Sequence, residues 1–576
     1  MARAPELDAR SLDRLVKQHP KGGHSLFRKS EILAGFRALG AAARFGASAQ
    51  AFEACLRMRP VRTLSGVTPV TVLTRPHPCP GRCIFCPNDV RMPKSYLSDE
   101  PGAQRAEDNH FDPYLQAWSR LSAYREIGHP VDKVELIVLG GTWSFHPEPY
   151  QRWFVKRCFD ALNDFAAGVD ARAHAAATPS RYAERLPAQI DGRALAQSYN
   201  QIVSEHLRSE FAEEAETGLL HASEAASWAD LEQAQRHNAA SAGVRCVGLS
   251  LETRPDQLCA EEARRLRRLG ATKVQIGIQS LSDEVLLANR RGHDVAATRR
   301  ALALLRRFGF KIQAHWMPNL AGSTPEADVA GFAQLFEDPA FRPDELKLYP
   351  CVLLPSAELA AWYERGDWKP YDDAVLEQVV VECLARVPRW CRVTRVIRDF
   401  SAGDIRAGST VANLRELAER RLREQGRPLR DVRAREIRDL YFDATQLALL
   451  ETAYATGVGE ERFLELATPE DRLVGFLRLS LPKDSEAEDL PKALRGAALI
   501  REVHVYGASL ELGRRGPVAQ HRGLGRRLVE RAAELASRAG YAKLAVISAV
   551  GTRAWYRGQG FIDAPLYQVR SLAAPS

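Results

Sequence analysis

Between about residue 66 and residue 400, short runs of strand character alternate with longer stretches whose apolar positions recur at helical spacing. The runs are 70–73, 134–139, 246–251, 273–277, 311–315 and 345–349. Most are followed by a Gly or Pro break and a helical pattern, as at 261–269 and 295–308. Strand–helix alternation of this kind predicts a parallel sheet closed into a full or partial TIM-like barrel, and hence an α/β fold. In such barrels the chemistry sits at the C-terminal ends of the strands. The stretch 166–240 breaks the rhythm. It is rich in alanine and glutamate, has helical periodicity and no clear strand, and reads as a helical insertion. Residues 1–65 read as amphipathic helices with basic outer positions at Lys17, Lys21, Arg28, Lys29 and Arg37. After an arginine-rich linker (401–440), the region 441–576 reads as a second α/β unit: strand, glycine loop, long helix, strand and aromatic helix.

At 576 residues the chain needs more than one domain. Its 45% hydrophobic and 26% charged content suits a globular protein with sizeable cores. The start lacks the apolar centre of a signal peptide, and no apolar stretch is long enough for a bilayer span, so the expected setting is cytoplasmic, away from membranes. Ten cysteines with no even framework of spacings point to a reducing compartment. The formal charge of +8 suggests an anionic partner without identifying it. Its distribution says more. From Arg406 to Arg438 there are ten arginines and five acids, a local excess of five. Arginine pairs also recur at 264–265, 267–268, 290–291, 299–300 and 306–307. Each alone reads as solvated helix surface. Together they lean towards RNA, with Arg433 and Arg435 as expected phosphate contacts.

The first chemical motif follows the first strand run. Cys79, Cys83 and Cys86 stand in Cys-x-x-x-Cys-x-x-Cys spacing. Structural zinc normally takes four ligands, and no second cysteine pair follows; a disulfide would leave one thiol over. Three thiolates on one loop suit a 4Fe–4S cluster held at three irons, with the fourth open. The pattern resembles radical S-adenosylmethionine (SAM) enzymes, in which the open iron takes SAM. A second motif lies in the last quarter. Glu502, Val503, His504 and Val505 form a strand run, and Gln520-x-x-Gly523-Leu524-Gly525-Arg526 then opens a helix. Bare backbone N–H groups at a helix N-terminus cradle anions. With the following strand, and a helix carrying Tyr556, the order resembles the acetyl-CoA site of GNAT-type N-acetyltransferases.

The two motifs on one chain resemble the catalytic subunit of Elongator and its stand-alone prokaryotic relatives. The likeness is carried also by the runs 61–66, 112–116, 131–135, 140–142, 252–256, 289–293, 341–350, 501–507 and 546–553. It implies a tRNA-modifying enzyme that forms 5-carboxymethyluridine at the wobble uridine, binding the anticodon stem-loop and using acetyl-CoA, SAM and the cluster. It implies that Gly140 and Gly141 approach SAM and that Lys133 contacts acetyl-CoA from the barrel side. Glu502 to Val505, Leu524 to Arg526 and Tyr556 would contact acetyl-CoA from the acetyltransferase side. Lys133 and Tyr556 are the expected catalytic residues. An electron donor such as flavodoxin or ferredoxin is a further implied partner, and the chain acts alone or as a homodimer. Relatives often carry a zinc-site cysteine where this chain has Leu429, so the sequence assigns no zinc site and leaves the question open, and Cys351, Cys383 and Cys391 read as buried thiols. The competing reading is a protein lysine N-acetyltransferase with a structural cluster, for which Glu502 or His504 would serve as base.

Overall fold

The computed structural model describes residues 9–21, 25–40, 52–53, 55–58, 63, 65–176, 198–211, 224–438, 440, 442–484, 486–506 and 523–572. Strands β1 (Thr68–Leu73), β2 (Lys133–Leu139), β3 (Arg245–Thr253), β4 (Lys273–Gln279), β5 (Lys311–Trp316), β6 (Glu345–Leu348) and β7 (Arg392–Val396) pair in sequence order. All six pairings are parallel. This is a curled barrel whose crossover helices cover its outside. Side chains alternate across each strand. Val274, Ile276 and Ile278 of β4, Ile312 and Ala314 of β5, and Leu346 and Leu348 of β6 are fully buried in the core. The intervening Lys273, Gln275, Gln313, His315, Glu345 and Lys347 instead line cavities. Polar side chains replace the branched apolar layers that usually plug such a barrel, which leaves its interior hollow. Polar caps start the helices: Ser282, Asp294, Thr324 and Asp372 each accept a backbone N–H three residues on.

The region 166–240 contributes helices Arg172–Ala176, Ser198–Phe211 and Trp228–Ala240. The last packs on helix Glu148–Ala167, with Asn163 Nδ2 donating to the Ala234 carbonyl at 3.0 Å.

A second sheet has the order β13–β14–β12–β11–β10–β9–β8. Its strands are β8 (Ala448–Thr456), β9 (Gly459–Ala467), β10 (Leu473–Pro482), β11 (Ala497–Val505), β12 (Lys543–Val546), β13 (Ile562–Ala564) and β14 (Tyr567–Ser571). β8 to β11 form an antiparallel meander. Helix Leu524–Arg538 then carries the chain over to β12, which runs parallel to β11. That pairing covers only Ala497–Ile500 against Lys543–Val546, so the end of β11 from Arg501 to Val505 projects past β12 and opens a cleft.

Three groups of strands escaped the sequence pattern, among them the short C-terminal pair β13 and β14. β7 reads Arg-Val-Thr-Arg-Val, too short and too basic to register as apolar. In β8 to β10, charged residues interrupt the alternation.

Candidate active site

The cysteine loop leaves β1 at the C-terminal end of the barrel and borders a cavity of about 710 Å³ that Cys79, Cys83 and Cys86 all line. Among the described residues no three His, Cys, Asp or Glu side chains converge as a single-ion site. Separate thiols facing one cavity suit a cube whose irons each take one sulfur. Cys83 accepts from Arg291 Nη1 at 3.1 Å and lies 3.8 Å from Arg254 Nη1. Its thiol is pulled well below its ordinary range, first by a hydrogen bond with Cys86 and then by the two arginines, against the opposing effect of burial. A thiol so placed is ready to bind metal as thiolate. Asn200, in the inserted helix Ser198–Phe211, accepts from the Cys79 N–H at 2.9 Å and donates to its carbonyl at 2.7 Å.

Gly140 and Gly141 follow β2 with φ of 125° and 76°. A Cβ on Gly140 would stand 2.1 Å from Thr74 Oγ1, so only glycine passes there, while Gly141 borders the cavity. Glu252, Gln279, His315, Lys347 and Tyr349 complete the wall. Burial raises Glu252 and drives His315 well below its usual value.

A second cavity, of about 960 Å³, opens at the opposite end of the barrel, against the second sheet. Glu135, Lys273, Lys311 and Glu345 come from the starts of the barrel strands. Glu502, Val503, His504 and Tyr506 come from the projecting end of β11, and Tyr556 from helix Arg553–Arg557. Six residues, Pro69, Thr71, Leu139, Lys347, Arg395 and Asp399, line both cavities. The cavity at the cysteine end and the cavity at the β11 cleft therefore adjoin inside the barrel.

Glu502 is clamped, accepting from Lys311 Nζ at 2.6 Å and from Arg478 Nε at 2.9 Å. Burial alone would raise its carboxyl, but these cations hold it below the usual range. His504 is pushed down to about 4 by burial, and its Nε2 has no hydrogen-bond partner among the described residues. Tyr506 accepts from Arg392 at 3.0 Å. Gly523 takes φ 75° just before helix Leu524–Arg538, and a Cβ on Gly525 would meet the Trp555 ring at 3.2 Å. Lys133 stands half-buried at the start of β2 and outside the lining of the second cavity. Gln520 and the run 507–522 lie outside the described residues, as do residues 61, 62 and 64 of the resemblance.

The two domains are welded by buried charge. Arg501 pairs with Asp344 of the barrel and with Glu461 of β9, and donates to the Phe310 carbonyl at 2.7 Å. Arg478 pairs with Asp344 as well as with Glu502.

The structure corrects the expectation for Arg435, while Arg420, Arg423, Arg430 and Arg438 of the same linker are exposed. Arg435 is 5% exposed, pairs with Glu465 and Asp471, and donates to the carbonyls of Arg389 and Arg430. Arg433 donates to the Thr394 carbonyl and lines the second cavity. Arg406, Arg421 and Arg427 pair with Glu364, Glu377 and Glu382. The arginine pairs divide in the same way. Arg267 and Arg306 are buried on backbone carbonyls, and Arg291 reaches Cys83. Breaking a buried pair strands its partner at a cost of about 3–5 kcal/mol. Arg435→Ala is therefore expected to lower the melting temperature sharply while leaving the salt slope of tRNA binding unchanged, a result that titrations at several ionic strengths beside a thermal melt would check.

Sequence reasoning missed Arg254 and Arg291 as partners of Cys83, and the polar lining of the barrel. The signal for the latter was present in the alternation Lys-x-Gln-x-Gly-x-Gln along β4 and Lys-x-Gln-x-His along β5. Cys351, Cys383 and Cys391 are buried, as expected of apolar thiols.

The fold and its two cavities define a radical-SAM barrel joined to an acetyltransferase-type α/β domain. Residues 209–327 match the Radical SAM superfamily and residues 343–424 the Radical_SAM C-terminal domain. The tRNA uridine(34) acetyltransferase of Dehalococcoides mccartyi is 36% identical over 505 residues, covering 87% of this chain and 96% of the relative. Elongator complex protein 3 of Homo sapiens is 33% identical, covering 90% and 86%. The solved structure of archaeal Methanocaldococcus infernus Elp3, lacking residues 1–46, superposes with a TM-score of 0.66 at 30% identity, covering 88% of this chain and 99% of that one. The chain belongs to the family of the tRNA uridine(34) acetyltransferases and Elongator complex protein 3.

Proposed function

We propose that the chain installs a carboxymethyl group on carbon 5 of the wobble uridine of tRNA, taking both carbons from acetyl-CoA. The observation that supports this reading is that the two cavities adjoin along six common wall residues, so a thioester entering at the β11 cleft would lie next to the cysteine end. Cys79, Cys83 and Cys86 would hold a 4Fe–4S cluster, with SAM against Gly140 and Gly141. When bound, that pair supplies a carbon-centred radical strong enough to take hydrogen from an acetyl methyl. Glu502 to Val505 would line the pantetheine arm. Leu524, Gly525 and Arg526 would meet the pyrophosphate at their helix N-terminus, and Tyr556 would line the cleft that takes the thioester. Lys133, at the start of β2 beside that cavity, would contact the cofactor from the barrel side. The names of the relatives support uridine 34 of tRNA as the substrate position. The base must leave its stack to enter.

The divisions that go with this reading are 1–65 for tRNA contact, 66–400 for the barrel with its insertion at 166–240, a linker 401–440, and 441–576 for acetyl-CoA. An external one-electron donor of the flavodoxin or ferredoxin kind completes the cycle, in a cytoplasmic setting. No helix among the described residues is long and apolar enough to cross a membrane. Lysine acetylation fits less well. Its base would be Glu502 or His504, and each is a poor proton acceptor. Two cations hold the Glu502 carboxyl below the usual range, and burial pushes His504 down to about 4.

Anaerobic incubation with trideuteroacetyl-CoA, SAM, reductant and unmodified tRNA tests the reading by mass spectrometry of the digested nucleosides. The expected product is carboxymethyluridine with two deuterium atoms. Acetylated lysine peptides without that nucleoside would overturn it.

A further inference from the structure

Of the six residues common to both cavities, Lys347 and Arg395 are the cations, and Arg395 is paired with Asp399. Lys347 differs from its neighbours. Lys273 contacts Glu135 and Glu345, and Lys311 contacts Glu345 and Glu502, whereas Lys347 Nζ has one hydrogen-bond partner among the described residues, the neutral Gln275 Oε1 at 2.5 Å. An ammonium carries three donors, so two are unspent, and they face the interior where the two cavities meet. Lys347 is two residues beyond Glu345 on β6, about 7 Å further up the barrel at the usual strand rise. Glu345 shares Lys311 with Glu502, which sets the level of the β11 cleft.

We infer that Lys347 holds the carbonyl oxygen of the acetyl thioester, turning its methyl towards the cysteine end. The inference rests on the function proposed above. A carbonyl oxygen is the group that such a donor fits. A carbon radical next to a carbonyl shares its spin with that oxygen, and a fixed cationic donor in a water-poor site stabilises the shared form without reorganising. Lys347 is thus a substrate-positioning residue in an interior where Lys273 and Lys311 are already neutralised. Burial lowers its ammonium to about 8, opposed by Glu252, so the donor is charged at neutral pH and lost above it.

The test reads the bound substrate directly. Acetyl-CoA carrying ¹³C at the carbonyl is bound to the full chain, and its carbonyl stretch is followed by difference infrared spectroscopy from pH 6.5 to 9.5. The wild type is expected to show a band shifted to lower frequency that moves back as the pH passes about 8. K347M is expected to lose the shift while binding acetyl-CoA with affinity changed less than about threefold. K347R is expected to restore the shift and hold it to higher pH. With trideuteroacetyl-CoA, K347M should also lose deuterium transfer into 5′-deoxyadenosine. A shift that survives in K347M, or a wild-type band at the solution frequency, overturns the role of Lys347. A wild type that forms no labelled nucleoside overturns the reading beneath it.

Discussion

Cys83→Ser is expected to abolish the brown absorbance of the reconstituted protein and to reduce SAM cleavage to background, with the fold retained. Cys83 is the most constrained of the three thiols, bearing the Arg291 and Arg254 guanidiniums at 3.1 and 3.8 Å. Two remaining thiolates cannot hold a cube with one defined open iron. Serine keeps the volume, and its hydroxyl still accepts from Arg291, so circular dichroism should be unchanged. Wild-type SAM cleavage in the anaerobically reconstituted variant would remove the cluster from this loop.

Arg501→Met is expected to cost about 3–5 kcal/mol, because it leaves Asp344 and Glu461, both without exposed side-chain surface, short of their cation. Denaturant titration would read the loss. The pH dependence has a definite sign. Burial alone would raise the Asp344 carboxyl, but Arg501, Arg478 and Arg306 hold it far below its ordinary range. Its contribution to stability is therefore complete above the unfolded value near 3.9 and is lost as pH falls below it. In Arg501→Met that acid-sensitive component should shrink. The domain seam would loosen with it, so acetyl-CoA binding should weaken while cluster assembly on the cysteine loop persists. An unchanged denaturation midpoint would contradict the welded seam.

Much of this was legible in the sequence, for identifiable reasons. Cysteine spacing is local, so Cys79, Cys83 and Cys86 could be read directly, and so could the glycine turn before helix Leu524–Arg538. Strand runs in β2 to β6 were visible because their outward faces are apolar. The inward faces were not, since alternation tells that two faces differ but not which one encloses a cavity. Arg254 and Arg291 approach Cys83 from 171 and 208 residues away, beyond the reach of any local pattern. The linker arginines show the opposite limit. Counting charge revealed an excess but not its direction, and Arg435 turns inward because Glu465, on a strand the sequence concealed, waits there.

The charged seam bears also on how such a chain can change over generations. An apolar interface tolerates a methylene more or less on either side. Here Arg501 answers to Asp344 in one domain and Glu461 in the other, and Arg478 to Asp344 and Glu502, so no member can be replaced alone without stranding a charge. The barrel and its companion therefore cannot be exchanged piecemeal with foreign partners. Substitutions on one side of the seam are expected to be compensated on the other.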